Sequence, residues 1–300
     1  MKAQSPVSFD DLNSPSASKI ASEDALSEIL DLARHNRWNE LAASAEQITR
    51  QNPNDADAFY WLGVARLELH KPIGAVQALR SAQNLGMDSS KLHETLGRAY
   101  YDLNQFILFQ QQMKEASRLD PLNFRPNYFL GLYQITIRSD VATALAFFDK
   151  ATKLQPDDWK SLYQEGRCLE LSGKPGEARA YYARAIRSIE ASNQPFGWPF
   201  QGMAHLLINQ DPEQALNFAK KAATVEPNEY SNHLILAQVY ERLGKLPEAL
   251  REAKLAASQS PNTAQVRYLL FMLYRRAGKN QAAQSELSAF KKLKIVYGSE

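Results

Sequence analysis

Small and apolar residues return at helical spacing along most of this 300-residue chain. Ala75, Leu79 and Ala82 form one stripe, and Phe109, Met113 and Ala116 form the next, closed by Pro121. The pattern recurs as Ala144, Phe148, Ala151 and Pro156, then as Ala178, Tyr182 and Ala185. It returns as Ala215, Ala219, Ala222 and Pro227, and again as Ala249, Ala253, Ala256 and Pro261. Spacings of three, four and seven put each set on one face of a helix. A second pattern alternates with the first. It reads Leu62-Gly63, Leu96-Gly97 with Tyr100, Leu130-Gly131, Gly166, Leu236-Ala237 with Tyr240, and Leu270 with Tyr274. Each period therefore predicts a helix, a short turn, a second helix and another turn.

Glycine inside a helix costs about 1 kcal/mol relative to alanine. Its return beside a leucine implies that a second helix lies against it, with Leu96 and Tyr100 filling the space on either side of Gly97. Burial of each large apolar side chain contributes about 1.5–3 kcal/mol, which outweighs the lost propensity. The closing prolines end the second helices. Gly63, Gly97 and Gly131 are spaced 34 residues apart. The sequence W-x2-L-G-x2-Y, then A-x3-F, then P, at this period, is the signature of the tetratricopeptide repeat, and the chain resembles that family. Residues 90–123 carry it through Leu96, Gly97, Tyr100, Phe109, Met113, Ala116 and Pro121, with His93 at the tryptophan position. Residues 230–263 carry it through Leu236, Ala237, Tyr240, Ala249, Ala253, Ala256 and Pro261.

The resemblance implies an all-α fold, a right-handed superhelical solenoid of about eight antiparallel helix pairs. Units are expected at about 22–55, 56–89, 90–123, 124–158, 159–195, 196–229, 230–263 and 264–297, after a flexible segment 1–21 and before a tail 298–300. Departures from the period mark irregularities. The first unit lacks the Leu-Gly pair, the fourth has an extra residue near Arg138–Ala142, and the fifth runs on through "SIEASNQPFGWPF". The sixth has Gly202-Met203, which predicts a short or irregular first helix, and the eighth has Phe271 at the glycine position.

Composition narrows the function classes. The formal charge is +2, so neither a nucleic-acid footprint nor an acidic tail stands out. No apolar run approaches the roughly 18 residues of a membrane span. A single cysteine, Cys168, excludes an internal disulfide and reads as a small core residue. The first residues contain no apolar signal segment. They read as cytoplasmic as written, or as the mature end of an exported protein whose signal has been removed.

Candidate chemistry is sparse. "SGKP" at 172–175, "LGKL" at 243–246 and "AGKN" at 277–280 lack phosphate-loop spacing and fall at the turn between paired helices. No two of the five histidines lie three or four residues apart, so no helical metal pair is expected. His93 and His233 read as packing residues. No nucleophile elbow is present. We therefore expect no enzyme activity, no catalytic residues and no cofactor.

The loop "NQPFGWPF" gathers Phe196, Trp198 and Phe200. These rings either fill the gap where the period slips or form an aromatic docking site. In the family, first-helix positions 2, 5, 9 and 12 line a concave face, and those spacings share one helical stripe. By register the stripe holds Asp57, Tyr60, Val64 and Leu67, then Lys91, Glu94, Arg98 and Tyr101, then Arg125, Tyr128, Leu132 and Ile135. Lys160, Tyr163, Arg167 and Glu170 follow, with Ser231, Leu234, Gln238 and Glu241, and finally Gln265, Tyr268, Met272 and Arg275. Tyr60, Lys91, Arg98, Tyr101, Arg125, Tyr128, Lys160, Tyr163 and Arg167 are the peptide-binding candidates. Tyrosine offers contact area at low entropic cost, and arginine grips carboxylates bidentately. The expected partner is a protein or peptide carrying acidic residues; the alternative is a mixed, solvated face with no preferred ligand. The lysine and asparagine carboxylate clamp of some family members has no match here, because position 9 holds Val64, Arg98, Leu132 and Arg167. Two alternatives remain: self-association through "LKIVYGSE" with Ile295, Val296 and Tyr297, and weak nucleic-acid or anionic-surface binding. The latter would use the basic end, Arg267, Arg275, Arg276, Lys279, Lys291, Lys292 and Lys294.

Overall fold

The computed structural model describes residues 23–192 and 196–297. Segment 1–21, the tail 298–300 and the side chains of Ile295, Val296 and Tyr297 lie outside what is described. Among the described residues the chain is all α-helix, sixteen helices in series with no strand. It divides into two compact units, Met1–Arg138 and Ser139–Glu300.

The first unit holds α1 (Glu23–Arg34), α2 (Trp38–Gln51), α3 (Ala56–Glu68), α4 (Pro72–Asn84), α5 (Ser90–Asp102), α6 (Phe106–Leu119) and α7 (Arg125–Thr136). Each helix packs on the next, and α3 also touches α5. The core gathers Ile29, Leu41, Trp61, Leu79, Leu92, Leu96, Phe109 and Met113. Gly97 faces Met113, and a β-carbon placed there would lie 2.6 Å from the Met113 Cε atom. The glycine is thus where the second helix of the pair sits closest.

The second unit holds α8 (Val141–Leu154), α9 (Trp159–Leu171), α10 (Pro175–Ser192), α11 (Trp198–Leu207), α12 (Pro212–Val225), α13 (Tyr230–Arg242), α14 (Leu246–Gln259), α15 (Ala264–Arg276) and α16 (Asn280–Tyr297). Contacts again run in series, with α9, α11, α13 and α15 also touching side by side. A continuous core runs from Leu169 and Tyr182 through Met203, Leu207, Ala219 and Leu236 to Val266 and Leu273. The irregularities fall where the period slips. Helix α10 extends to 18 residues and α11 is only 10.

Local chemistry sets the helix ends. Asp55 accepts from the Ala58 N–H, Ser89 from Leu92, Asp158 from Ser161 and Asp211 from Gln214, so side-chain oxygens satisfy otherwise orphaned amides. The turns within pairs take a left-handed residue: φ is +74° at Gly173 and Gly244 and +70° at Gly278. These are the glycines of the three "GK" stretches. Lys174 N–H donates to Leu169 O and Gly173 N–H to Glu170 O, which closes the end of α9. Backbone geometry therefore accounts for glycine at these sites.

Candidate interaction surface

The first-helix stripe is not uniformly open. In α3, Asp57, Tyr60, Val64 and Leu67 are all buried, and Tyr60 packs edge-on against Trp61 with ring centres 5.4 Å apart. Tyr128 on α7 is buried as well, edge-on to Phe129. These two tyrosines support the stack rather than present open contact area. Between them, Lys91, Arg98, Tyr101 and Arg125 are half-buried.

The arginines have resident counter-ions. Arg98 Nη2 donates to Glu68 Oε1 at 2.8 Å, and its guanidinium lies 5.7 Å from the Phe129 ring centre. Arg125 Nη1 donates to Glu94 Oε1 at 3.3 Å, while Asn123 Nδ2 donates to Glu94 Oε2. The Tyr101 and Thr136 hydroxyls are 2.8 Å apart. Each link joins the first helix of one pair to the next pair, so the polar part of this stripe also holds successive repeats in register.

In the second unit, Lys160, Tyr163 and Arg167 share one face of α9. Lys160 Nζ lies 5.7 Å from the Trp159 ring centre. Arg167 donates to Gln164 Oε1 at 2.9 Å and lies over the Tyr163 ring. Burial pushes the Tyr163 phenol up, with Arg167 opposing. The aromatic loop folds back on this face. Phe196 lies 4.3 Å from Trp159, Trp198 lies 5.9 Å from Tyr163, and Phe200 is buried. Glu226 Oε2 accepts the Gly197 N–H at 3.0 Å, and a side chain at Gly197 would meet that carboxylate and the Ala222 carbonyl. The three rings thus lay apolar surface on α9 and on the neighbouring repeat, with Phe196 and Trp198 partly exposed.

A cleft of about 560 Å³ opens further along the same unit, lined by His205, Ile208, Asn209, Gln238, Glu241, Arg242 and Arg276. Gln238 and Glu241 are stripe positions. Sequence reading placed Arg276 only in the basic end and did not single out His205, Ile208, Asn209 or Arg242 as contact positions. The signal was available in the short α11, because ending that helix at Leu207 leaves space beside the last turns of α13 and α15. Arg276 Nη1 donates to Glu241 Oε1 at 3.2 Å. His205 pairs through Nδ1 with Glu170, whose other oxygen accepts from the Tyr182 hydroxyl at 2.7 Å. Burial pushes the Glu170 carboxyl up, but the hydrogen bonds from His205 and Tyr182 outweigh it and hold it below the ordinary carboxylate range. The same bond to Glu170 raises His205, against desolvation. The cleft therefore carries donors and acceptors of both signs on helix ends that packing holds in place.

Comparison with known proteins agrees with this architecture. Tetratricopeptide repeat models match residues 26–90 and 138–195, and a second such model matches residues 206–270. No curated protein matches the sequence. Among solved structures, the APC/C hetero-tetramer Cut9-Hcn1 superposes with a TM-score of 0.72 at 15% identity, over 83% of this chain and 48% of that one. The chain thus spans about half the length of that relative. Yeast Tom70 gives a TM-score of 0.60 at 16% identity, over 96% of this chain and 68% of its own. A tetratricopeptide repeat protein from Parabacteroides merdae gives 0.58 at 16% identity, over 84% of this chain and 98% of its own. At these identities the likeness concerns the fold. The repeat matches together cover most of the serial helix pairs, and the chain belongs to the tetratricopeptide repeat family.

Proposed function

We propose that the chain is a non-catalytic adaptor that holds a partner polypeptide on its first-helix stripes. Repeats of this family generally mediate protein–protein interaction. The observation that carries the reading for this chain is the cleft at Gln238, Glu241, Arg242 and Arg276. Two of its walls, Gln238 and Glu241, are stripe positions, and it offers side-chain donors and acceptors at the ends of packed helices. Rigid helices keep such groups in place, so little ordering entropy is lost on binding. Lys91, Arg98, Tyr101 and Arg125 in the first unit, with Lys160, Tyr163 and Arg167 in the second, are further contact positions. An acidic partner at Arg98 must exchange with Glu68, which makes a partner of mixed charge the better fit.

The test is affinity capture with the intact chain, followed by Kd measurement for the captured protein. Arg242→Glu with Arg276→Glu should weaken binding by at least tenfold while the helical circular dichroism stays unchanged. Arg98→Glu with Arg167→Glu provides the comparison for the other stripe positions. A validated partner whose Kd is unmoved by both pairs of substitutions would show that binding uses another surface.

A further inference from the structure

We infer that Asp88, His93 and Glu115 form a binding site for a divalent transition-metal ion, with zinc the best match. The site is independent of the stripe, because His93 occupies a first-helix position off it. Asp88 lies in the turn between α4 and α5, His93 on the first turns of α5, and Glu115 on α6. One donor atom from each lies within 4.8 Å of the other two. Histidine searches at helical spacing miss the set, since its members come from three different elements.

His93 is 4% exposed, and both ring nitrogens face oxygen atoms. Nδ1 is 2.7 Å from Gln112 Oε1, and Nε2 is 2.7 Å from Asp88 Oδ1. With Nδ1–H donating to the Gln112 oxygen, Nε2 is the ring atom that faces the Asp88 carboxylate, and a cation seated there would take both as ligands. The arrangement is that of a metal-binding histidine, whose other nitrogen is held by an outer hydrogen-bond acceptor. One imidazole and two carboxylates suit zinc and neighbouring divalent ions, and three protein ligands leave a position for water. Bonds of about 2.0–2.2 Å need the donors somewhat further apart than 2.7 Å. Asp88 can provide that shift, because its side chain is 60% exposed and sits in a turn.

The chain contains its own control. His233 occupies the equivalent repeat position and, like His93, faces a residue 19 positions further on, here Glu252 Oε2 at 2.9 Å. Its Nε2 donates to the Pro227 carbonyl at 2.8 Å and is occupied. Asn228 and Leu255 stand where Asp88 and Glu115 stand relative to His93. Both carboxylates are therefore particular to the His93 repeat, where Nε2 faces Asp88 rather than a backbone carbonyl. Arg118 opposes the ion, since its guanidinium holds Glu115 through contacts of 2.6–3.0 Å.

The experiment is calorimetric titration of zinc chloride into the tag-free, chelator-treated full chain, with cobalt(II) absorption as a second readout. We expect one ion per chain, a raised melting temperature that a chelator reverses, and a cobalt spectrum of reduced coordination number. Asp88→Asn and Glu115→Gln should each weaken zinc by about tenfold or more, and Gln112→Leu by a similar factor through loss of positioning. Arg118→Ala should tighten it several-fold by releasing Glu115. Absence of binding at 100-fold molar excess, or zinc affinity unchanged in both carboxylate variants, would overturn the assignment. In that outcome Asp88, His93 and Gln112 form a plain hydrogen-bonded triad.

Discussion

Replacing Gly166 by alanine should destabilise the second unit, although alanine is the better helix former. A β-carbon at Gly166 would lie 2.7 Å from Tyr182 Cε1 and 2.8 Å from Cδ1. Tyr182 cannot retreat. Its other side faces Gly202, where a β-carbon would lie 2.8 Å from the ring, and its hydroxyl donates to Glu170 at 2.7 Å. The ring is fully buried between two glycines on α9 and α11. Alanine gains up to about 1 kcal/mol of helix propensity. Forcing a methyl group into such a contact costs about 1–3 kcal/mol, and loss of the Tyr182–Glu170 hydrogen bond adds about 1 kcal/mol or more. The net expectation is a loss of about 1–3 kcal/mol.

Gly97→Ala is the matched comparison. The obstructing atom there is Met113 Cε, the far end of an unbranched and adaptable side chain. That methyl group can rotate away, so the propensity gain offsets most of the cost. Urea unfolding of the full chain, followed by circular dichroism and Tyr and Trp fluorescence, compares the two variants. Repeat arrays need not unfold in one step, so the shift is read in the transition reporting the second unit. Gly166→Ala as stable as the parent chain, or less disturbed than Gly97→Ala, would refute the argument that ring rigidity decides the sign.

Other expectations rest on single features. The Cys168 thiol is buried, and desolvation pushes it up to about 12, so it should resist alkylation at pH 8 in the folded chain and react readily in urea. Asp158→Ala removes the oxygen that accepts from the Ser161 amide at 2.8 Å and should cost about 1 kcal/mol by chemical denaturation. The His205–Glu170 pair should stabilise within a pH window. The raised histidine contributes fully below its unfolded pKa and loses this as pH rises through its folded value; the lowered carboxyl contributes above its unfolded pKa and loses this as pH falls through its folded value. The window lies between the ordinary carboxylate and imidazole ranges. His205 is largely exposed, so a double-mutant cycle with His205→Ala and Glu170→Gln should give only about 0.2–1 kcal/mol there and nothing near pH 9.

The fold was readable because its determinants are local and periodic. The Ala-x3-Phe/Met/Tyr-x2-Ala spacing specifies the second helices, and the small residue after leucine marks where each first helix meets its partner. The shortness of α11 was legible in Gly202-Met203, and Gly202 proves to be one wall of the Tyr182 slot. Surface exposure was less legible. The 2-5-9-12 rule places Tyr60 and Arg98 on one stripe, yet Tyr60 is 5% exposed and Arg98 is ion-paired. Such outcomes depend on residues one period away. Glu68 is 30 residues from Arg98, and Glu94 is 31 from Arg125. Neither distance belongs to a helical pattern. The Asp88–His93–Glu115 cluster was hidden for a related reason, since Glu115 meets the other two only once α6 folds back on α5.

Resident carboxylates change what an acidic partner can gain. Glu68 and Arg98 are only 15% and 20% exposed, so their attraction is screened less than that of a surface pair. A partner carboxylate that displaces Glu68 exchanges one charged hydrogen bond for another and returns Glu68 to water. The net gain is small, and affinity must come from tyrosine contact and from burial. Glu68→Gln reverses the balance. Glutamine keeps the size of the side chain and one acceptor oxygen but removes the competing charge. On the adaptor reading, an acidic peptide should then bind the stripe about three- to tenfold more tightly, a fraction of the roughly 1.5–3 kcal/mol of a hydrogen bond to a charged group. Loss of the ion pair should cost the first unit about 1 kcal/mol at the same time. Fluorescence titration of a labelled acidic peptide against both chains, at two salt concentrations, measures the first effect, and urea unfolding measures the second. Unchanged affinity together with the stability loss would mean that Arg98 serves stacking alone, and that the ligand-binding charges of the stripe lie elsewhere.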